Sequence, residues 1–236
     1  MTGIWFCTAF PVKATDKVSK QEVLNVENER AMVFVDGGNL YAGVKFGLHL
    51  QKSVDIDSLI KKLTLGRRLV RAYYYTTPSP HPNSLQGKGH QRFLDKLGWI
   101  ENLQVRRGRV VPRTHTVECP KCRRTFEYSD YTQKGVDTRI AVDMVTLAVR
   151  DAYDTAILVS GDSDLAEAVN YIREQTNKKV ENACVPGKSW AKTLREAADK
   201  RIPLTRDYLM DCLFEAPPEE EAPLDEQAPL DEQAPL

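Results

Sequence analysis

The stretch AMVFVDGGNLY (residues 31–41) decides the fold class. Five apolar residues follow one another without a polar face, which is typical of a strand buried on both sides in a parallel sheet. Asp36 and two glycines end this strand, and a helix-like pattern follows. A second stretch, ILVSGDSDLAEAVNYI (157–172), repeats the order of apolar strand, acidic turn and helix. Two such units predict parallel strands connected by helices.

The same alternation extends over most of the chain. Further strands are predicted at 69–76, 103–111, 155–160, 178–185 and 201–205. Helices are predicted at 39–48, 56–63, 90–97, 135–150, 164–174 and 189–200, and a loop at 79–89. The sequence therefore predicts an α/β protein with a mostly parallel central sheet and helices on both faces. Ligands of such sheets bind beyond the carboxyl ends of the strands.

The composition is that of a chain that folds in water. Its 236 residues are 42% hydrophobic and 28% charged. No apolar run approaches the ~20 residues needed to cross a membrane. The N-terminus has no basic segment ahead of an apolar one, so we expect no signal peptide and a cytoplasmic location. The five cysteines are too scattered for a disulfide framework.

The net charge of zero hides a division between two parts of the chain. Residues 215–236 hold eight acids and no base, which leaves 33 basic against 25 acidic residues in 1–214. This basic part permits a polyanionic partner such as RNA. The tail repeats APLDEQ and is predicted to be disordered, either as a spacer or as a segment that binds a protein partner or the basic surface. The remaining divisions are an N-terminal extension (1–29) and a domain (30–214) with a basic hairpin insertion (103–132).

Acidic residues follow two predicted strands and open one helix. Asp36 ends the first strand, Asp162 and Asp164 follow the strand at 155–160, and Asp137 begins a helix. Because the carboxyl ends of parallel strands meet at one edge, Asp36 and Asp162 are expected to converge there. Asp137 reaches that edge if its helix runs antiparallel to the next strand.

Clustered carboxylates repel one another unless a cation lies between them. Mg²⁺ and Mn²⁺ are hard ions that take carboxylate and water oxygens, and such ions assist phosphodiester hydrolysis. Each acid taken singly is explained as well by a helix cap, and Asp143 fits a solvated helix face. Three acidic turns at one sheet edge favour a metal site.

Three stretches resemble the signature motifs of the NYN domain family, in its LabA-like branch. They are FVDGGNLY (34–41), KGVDTRIAVDMV (134–145) and ILVSGDSDL (157–165), in the family's order and at similar separations. The resemblance covers about residues 31–210. It implies a PIN-like nuclease, with a three-layer α/β/α sandwich, that hydrolyses RNA with Mg²⁺ or Mn²⁺.

The resemblance also implies roles for individual acids. Asp36, Asp137 and Asp162 would hold the metal ion. Asp164 and Asp143 would support them, directly or through water. Neither the N-terminal extension nor the acidic tail belongs to the family pattern.

Three polar residues complete the site that the resemblance implies. Asn39 would orient Asp36 or contact the scissile phosphate, and Lys134 and Ser160 are candidates for phosphate contact. The leading hypothesis is thus a metal-dependent ribonuclease, an endonuclease on single-stranded or structured RNA. The alternative is a non-catalytic RNA-binding or regulatory module on the same fold. A phosphatase of the haloacid-dehalogenase type is disfavoured because no second Asp follows Asp36 at the required spacing.

Cys119 and Cys122 form a CxxC pair with the spacing of a zinc site. A structural zinc ion needs four ligands, and the chain has no second CxxC. His115 is the candidate third ligand, and the fourth is left open among His90, His81 and a group from another subunit of a homodimer. The alternatives are a reduced remnant of a zinc ribbon and a redox-labile pair.

Arginines crowd the segment around this pair. Their guanidinium groups suit phosphate, and Tyr128 and Tyr131 supply rings on which unpaired bases stack. A solvated hairpin would also be rich in arginine, so composition alone leaves both interpretations open. We predict an arm that guides RNA and whose contacts are Arg106, Arg107, Arg109, Arg113, Arg123 and Arg124.

Overall fold

The computed structural model describes residues 28–187 and 189–214. Most of the predicted N-terminal extension, and the acidic tail, lie outside these ranges. The strands are β1 (Arg30–Asp36), β2 (Ser53–Val54), β3 (Arg68–Thr76), β4 (Leu103–Arg107), β5 (Arg109–Glu118), β6 (Thr125–Lys134), β7 (Thr155–Val159), β8 (Lys179–Cys184), β9 (Lys200–Pro203) and β10 (Leu213–Phe214). The helices are α1 (Gly37–Ala42), α2 (Ile56–Thr64), α3 (Leu85–Leu97), α4 (Val136–Val149), α5 (Ala166–Gln175), α6 (Lys192–Ala197) and α7 (Arg206–Leu209).

Six strands form the main sheet in the order β4-β3-β1-β7-β8-β9, and every neighbouring pair is parallel. Numbered within this sheet alone, the order is 3-2-1-4-5-6, the arrangement of a doubly wound fold. The direction of winding reverses between β1 and β7. Ligand sites of such sheets lie outside the carboxyl ends of the strands at this reversal.

Alternate residues of β1 face the two helical layers. Val33 and Val35 pack into a core with α2 and α3, whereas Met32 and Phe34 pack into a second core with α4 and α5. Both faces of the strand are therefore buried, as its unbroken apolar run predicts. The α/β/α sandwich with a central parallel sheet is confirmed, and no helix among the described residues is long and apolar enough to cross a bilayer.

Helix α3 begins at Leu85, five residues before the predicted start at 90. The Ser84 hydroxyl caps it by accepting a hydrogen bond from the Gly87 N–H (3.0 Å). A β-carbon at position 87 would lie 2.1 Å from the His81 carbonyl oxygen, so glycine permits this close contact. The predicted loop at 79–89 was wrong in its second half because the cap and the contact outweigh the low helix propensity of two glycines.

The predicted strand at 103–111 divides at Gly108. β4 joins the edge of the main sheet, whereas β5 leaves it and pairs with β6 in an antiparallel hairpin. The pairs run from Arg109↔Lys134 to Glu118↔Thr125. At ~3.4 Å per residue the hairpin is about 30 Å long. It begins at Arg109, beyond the predicted start at 103, and we call it the hairpin arm.

Candidate active site

A pocket of about 640 Å³ opens at the carboxyl edge of the sheet, where the winding reverses. Asp36 is the last residue of β1, and Asp162 follows the end of β7 by three residues. Asp137 lies in the first turn of α4. All three acids line this pocket, although they come from distant parts of the chain.

Asp36 is held rigidly at the base of the pocket. The residue is 6% exposed, and its carboxylate accepts hydrogen bonds from the Asn39 N–H (3.0 Å) and the Ser160 hydroxyl (3.1 Å). Burial raises the pKa of Asp36, the two hydrogen bonds oppose this shift, and the charges of Asp137 and Asp162 add to it. A bound cation would relieve this cost because it favours the ionised carboxylate.

Ser160 and Asn39 connect the ends of β1 and β7. Ser160 is 1% exposed, and its hydroxyl also accepts the Asp162 N–H (3.2 Å). The side-chain oxygen Oδ1 of Asn39 accepts a hydrogen bond from the Gly161 N–H (2.9 Å). Both side chains therefore position the acids. The predicted phosphate contact of Ser160 is not supported, because its hydroxyl is buried against a carboxylate.

Asp162 caps the 3₁₀ turn that precedes α5, since its carboxylate accepts the Asp164 N–H (3.0 Å). Asp164 itself is exposed and does not line the pocket. Partial desolvation raises the pKa of Asp137, and the charges of Asp162 and Asp164 raise it further. Asp164 thus acts on the pocket through its charge.

Asp143 lies away from the other acids. Its carboxylate accepts a hydrogen bond from the buried Tyr75 hydroxyl (2.9 Å) and lies 3.9 Å from the Arg106 Nε atom. The Arg106 guanidinium also packs over the ring of Tyr73 (5.3 Å). Asp143 does not line the pocket, and Arg106 belongs to the main sheet. The structure therefore supports neither Asp143 as an acid of the pocket nor Arg106 as an RNA contact of the hairpin arm.

The carboxylates suit a divalent cation by their chemistry, although they do not form a closed set of ligands. Among residues 28–187 and 189–214, no three His, Cys, Asp or Glu side chains come close enough together to hold a metal ion. Three carboxylates nevertheless line one pocket and repel one another. Oxygen ligands of this kind fit Mg²⁺ or Mn²⁺, which keep several water ligands when bound.

Comparison of the sequence with profiles of known families identifies the family of the chain. The profile of the NYN domain matches residues 30–205. The chain belongs to the NYN domain family. Membership implies a PIN-like nuclease fold, and nucleases of this fold generally act on RNA. The LabA-like branch remains a prediction.

One solved structure shares this fold. A protein of unknown function from Vibrio parahaemolyticus RIMD 2210633, VPA0982, is 21% identical with a TM-score of 0.55, covering 80% of this chain and 98% of its own. A structure from work on the mechanism and regulation of Sir2 enzymes is 12% identical with a TM-score of 0.35. This match covers 78% of the chain described here and 92% of the other chain. The comparison with curated proteins finds no match.

Cys119 and Cys122 lie in the turn at the tip of the hairpin arm. The Cys119 N–H donates to the Arg124 carbonyl (2.9 Å), and the Arg123 N–H donates to the Cys119 carbonyl (2.9 Å). Interactions with the N–H groups of Cys122 and Lys121, and with the Cys122 thiol, lower the pKa of Cys119. A lowered pKa favours the thiolate, the form that binds metal.

The candidate histidine ligands lie elsewhere. His115 Nε2 is 3.1 Å from an oxygen of Asp130, and the ring stacks on Tyr128. His81 packs against Tyr131 on the arm, and His90 lines the active-site pocket. Among the described residues, none of these three histidines therefore forms a group of metal ligands with the two cysteines.

The arm carries its basic residues mainly on one face. Residues that pair directly across two strands share a face. Arg109 pairs with Lys134, and Arg113 pairs with Asp130. Arg113 is four residues after Arg109 on the same strand, so the two pairs share a face. Apart from Arg106, all of the predicted arginines are exposed, as is Lys134: Arg107, Arg109, Arg113, Arg123 and Arg124.

Several pocket residues were not predicted. Thr76 ends β3 and Thr77 follows it, so the strand-end rule applied to this strand would have identified them. Tyr41 lies on α1 and is 58% exposed at the pocket. Gln133 comes from the base of the arm, and His90 from α3. The sequence carries no local signal for the last two, because their place depends on how the arm and α3 pack.

Proposed function

We propose that this NYN domain is a metal-dependent ribonuclease, an endonuclease that hydrolyses RNA phosphodiester bonds at the carboxyl edge of the sheet. The observation that carries the proposal is the presence of Asp36, Asp137 and Asp162 in one pocket. Family membership supports it, because PIN-like NYN nucleases generally use divalent metals and act on RNA.

Asp36, Asp137 and Asp162 would hold Mg²⁺ or Mn²⁺ in this pocket, partly through water ligands, because the three carboxylates do not lie close enough together to bind one ion by themselves. The ion supplies Lewis-acid activation and neutralises charge on the phosphate when bound. The protein contributes rigidity at Asp36, whose two hydrogen bonds hold the carboxylate in place. Asp164 strengthens the negative potential from outside the pocket.

Two features support RNA with unpaired bases as the substrate. Tyr41 is exposed beside the acids and lies edge-on to Phe46, which is 65% exposed. Exposed aromatic rings suit stacking on unpaired bases. Lys134, where the basic face of the arm begins, is next to Gln133 of the pocket wall in the chain but points to the opposite side of the hairpin. The basic face therefore offers a second surface for phosphates beside the pocket.

The proposal is tested by removing single charges from the pocket. We expect Asp36→Asn and Asp162→Asn to abolish Mn²⁺-dependent cleavage of a single-stranded RNA. The loss should exceed the ~10–100-fold that removal of an outer-shell metal partner costs. Asp207→Asn, which changes an exposed acid of α7 outside the pocket, is the matched control and should keep full activity.

The fold of each variant is checked by circular dichroism and its RNA affinity by fluorescence anisotropy. Full activity of both pocket variants would contradict the assignment of the site. A parent protein that binds RNA but cleaves none with Mg²⁺ or Mn²⁺ would instead identify the non-catalytic RNA-binding module.

A further inference from the structure

The tip of the hairpin arm presents half of a zinc site. Cys119 and Cys122 flank a two-residue turn closed by backbone hydrogen bonds, and Arg123 adopts the left-handed conformation (φ 56°) directly after it. Such a turn brings two thiols of a CxxC pair to one side of the chain. Cys122 is exposed and Cys119 is half-buried, so both thiols can reach a shared ion.

The other half of the site is absent from the described part of the chain. Structural zinc is almost always four-coordinate. No three potential ligands come together among residues 28–187 and 189–214. Cys184 and Cys212 are 3% and 1% exposed in the body of the domain. His115, the nearest histidine in the sequence, is engaged by Asp130 and Tyr128.

We propose that two copies of this chain share one zinc ion, to which each contributes Cys119 and Cys122. The four thiols form a tetrahedral sulfur site that joins two hairpin arms at their tips. Each thiol loses its proton to solvent when it binds, so four protons are released per zinc ion. The inference does not depend on ribonuclease activity.

An apolar surface next to the turn supports a second arm as the partner. Val117 and Phe126 pair directly across the strands and are 50% and 59% exposed. Tyr128 is two residues after Phe126 on β6, so it lies on the same face, and it is 52% exposed. We call these three residues the tip patch. A long two-stranded hairpin has no core of its own, and burial of this patch would stabilise its end.

The charges around the turn also fit a thiolate site. Zn²⁺ with four thiolates carries a net charge of −2. Lys121, Arg123 and Arg124 are exposed at each tip and can offset this charge. Their mutual repulsion without the metal would disfavour association, so zinc and not the patch alone should control the dimer.

The test measures zinc content and molar mass of the full chain, purified under reducing conditions. With ZnCl₂ added and the excess removed, we expect a dimer by light scattering and about 0.5 zinc per chain by mass spectrometry, as four ligands from two chains require. EDTA should give monomers, and renewed ZnCl₂ should restore dimers. Co²⁺ in place of zinc should show the thiolate-to-cobalt absorption of a four-sulfur site.

Variants separate this proposal from its alternatives. Cys119→Ser with Cys122→Ser should bind no zinc and stay monomeric, with an unchanged circular dichroism spectrum because the tip is exposed. Cys7→Ser is the matched control and should still form the zinc dimer. Val117→Ser with Phe126→Ser should retain the zinc ratio but weaken the dimer by about tenfold, a loss of ~1.4 kcal/mol.

Three results would overturn the proposal. The first is a monomer that binds one zinc ion per chain and loses it in Cys7→Ser, which would place the remaining ligand in the same chain. The second is a dimer that persists without both cysteines, and the third is a reduced protein that binds no zinc. A tip-patch variant that loses RNA affinity but associates normally would assign the patch to RNA and leave the zinc ion as the sole link between the two chains.

Discussion

At the scale of single residues, burial, hydrogen bonds and repulsion from other acids all affect the ionisation of Asp36. Its carboxylate is nearly enclosed, and two further acids line the same pocket. Burial and these charges raise its pKa, although hydrogen bonds from Asn39 and Ser160 favour the ionised form. An apo protein is therefore destabilised when Asp36 ionises, and a cation should remove this destabilisation.

We expect Asp36→Asn to be more stable than the parent at pH 7 without divalent ions. The folded-state pKa is raised, so the parent loses stability as the pH rises from the ordinary aspartate pKa of about 3.9 through the folded value. Asparagine has no charge to bury and keeps an oxygen that can cap α1. Each 1 kcal/mol of relief should raise the melting temperature by about 2–4 °C.

Thermal melts at pH 7 and pH 3, with EDTA or Mn²⁺, check this prediction. The difference between variant and parent should shrink at pH 3, where Asp36 is protonated in both states. It should also shrink with Mn²⁺, which stabilises the parent alone. A variant less stable than the parent at pH 7 in EDTA would show that the hydrogen bonds outweigh burial and repulsion.

At the scale of elements, the hairpin arm is distinct because it adds almost nothing to the core. Its strands pair only with each other, and most of their residues are exposed. The base of the arm contributes Gln133 to the pocket, whereas Arg109, Arg113 and Lys134 lie on one face. An element free of packing constraints can be specialised for a charged ligand.

We expect Arg109→Glu with Arg113→Glu to weaken RNA binding. Each arginine that contacts a phosphate releases a counterion, so losing both should reduce the slope of log affinity against log salt by about 1.4 for single strands. The effect should fade at high salt, where phosphate contacts contribute less. Anisotropy titrations over a range of salt concentrations measure both quantities.

Thr114→Glu with Thr116→Glu is the control for this pair of substitutions. It adds two acids to the opposite face of the same hairpin, since these residues alternate with the arginines. The two arginine reversals change the net charge by −4 and the two threonine substitutions by −2. A threonine variant with half the effect of the reversals, or more, would therefore mean that net charge, rather than the basic face, controls binding. Unchanged binding at low salt after the arginine reversals would remove the arm from the RNA path.

At the scale of the whole molecule, a buried ion pair joins the two halves of the fold. Arg67 precedes β3 and makes a two-pronged contact with Glu181 of β8 (3.1 and 2.9 Å), with side chains 6% and 10% exposed. Arg67 Nε also donates to the Thr64 carbonyl (2.9 Å). Removing one member leaves the other charge buried without its partner.

We expect Glu181→Ala to destabilise the domain by roughly 3–5 kcal/mol. The double substitution Arg67→Met with Glu181→Leu should recover most of this loss, because neither buried charge remains. Their further partners, Glu29 and Lys200, are more exposed and can be hydrated. Glu174→Ala, at an exposed position of α5, is the surface control and should change stability by less than ~0.5 kcal/mol. Urea denaturation measures all three, and a small effect of Glu181→Ala would mean that water reaches the pair.

Much of the fold could be predicted because its signals are local. The unbroken apolar run of β1 and the acidic turns after β1 and β7 are visible in the sequence, and parallel strands must end at one edge. The convergence of Asp36 and Asp162 follows from that rule. Boundaries were less accurate where contacts outweighed propensity, as at the start of α3 and at Gly108, where β4 and β5 part.

The sequence by itself determined the layers of this protein, the parallel sheet and the acids at its edge, because burial patterns and strand ends are properties of short segments. Only the tertiary structure decided which polar groups face the pocket. It turned Ser160 toward Asp36, joined Asp143 to Tyr75, and separated His115 from the cysteines. Such choices depend on the hydrogen-bond partners that packing brings within about 3 Å, and residue spacing in the chain does not encode those distances.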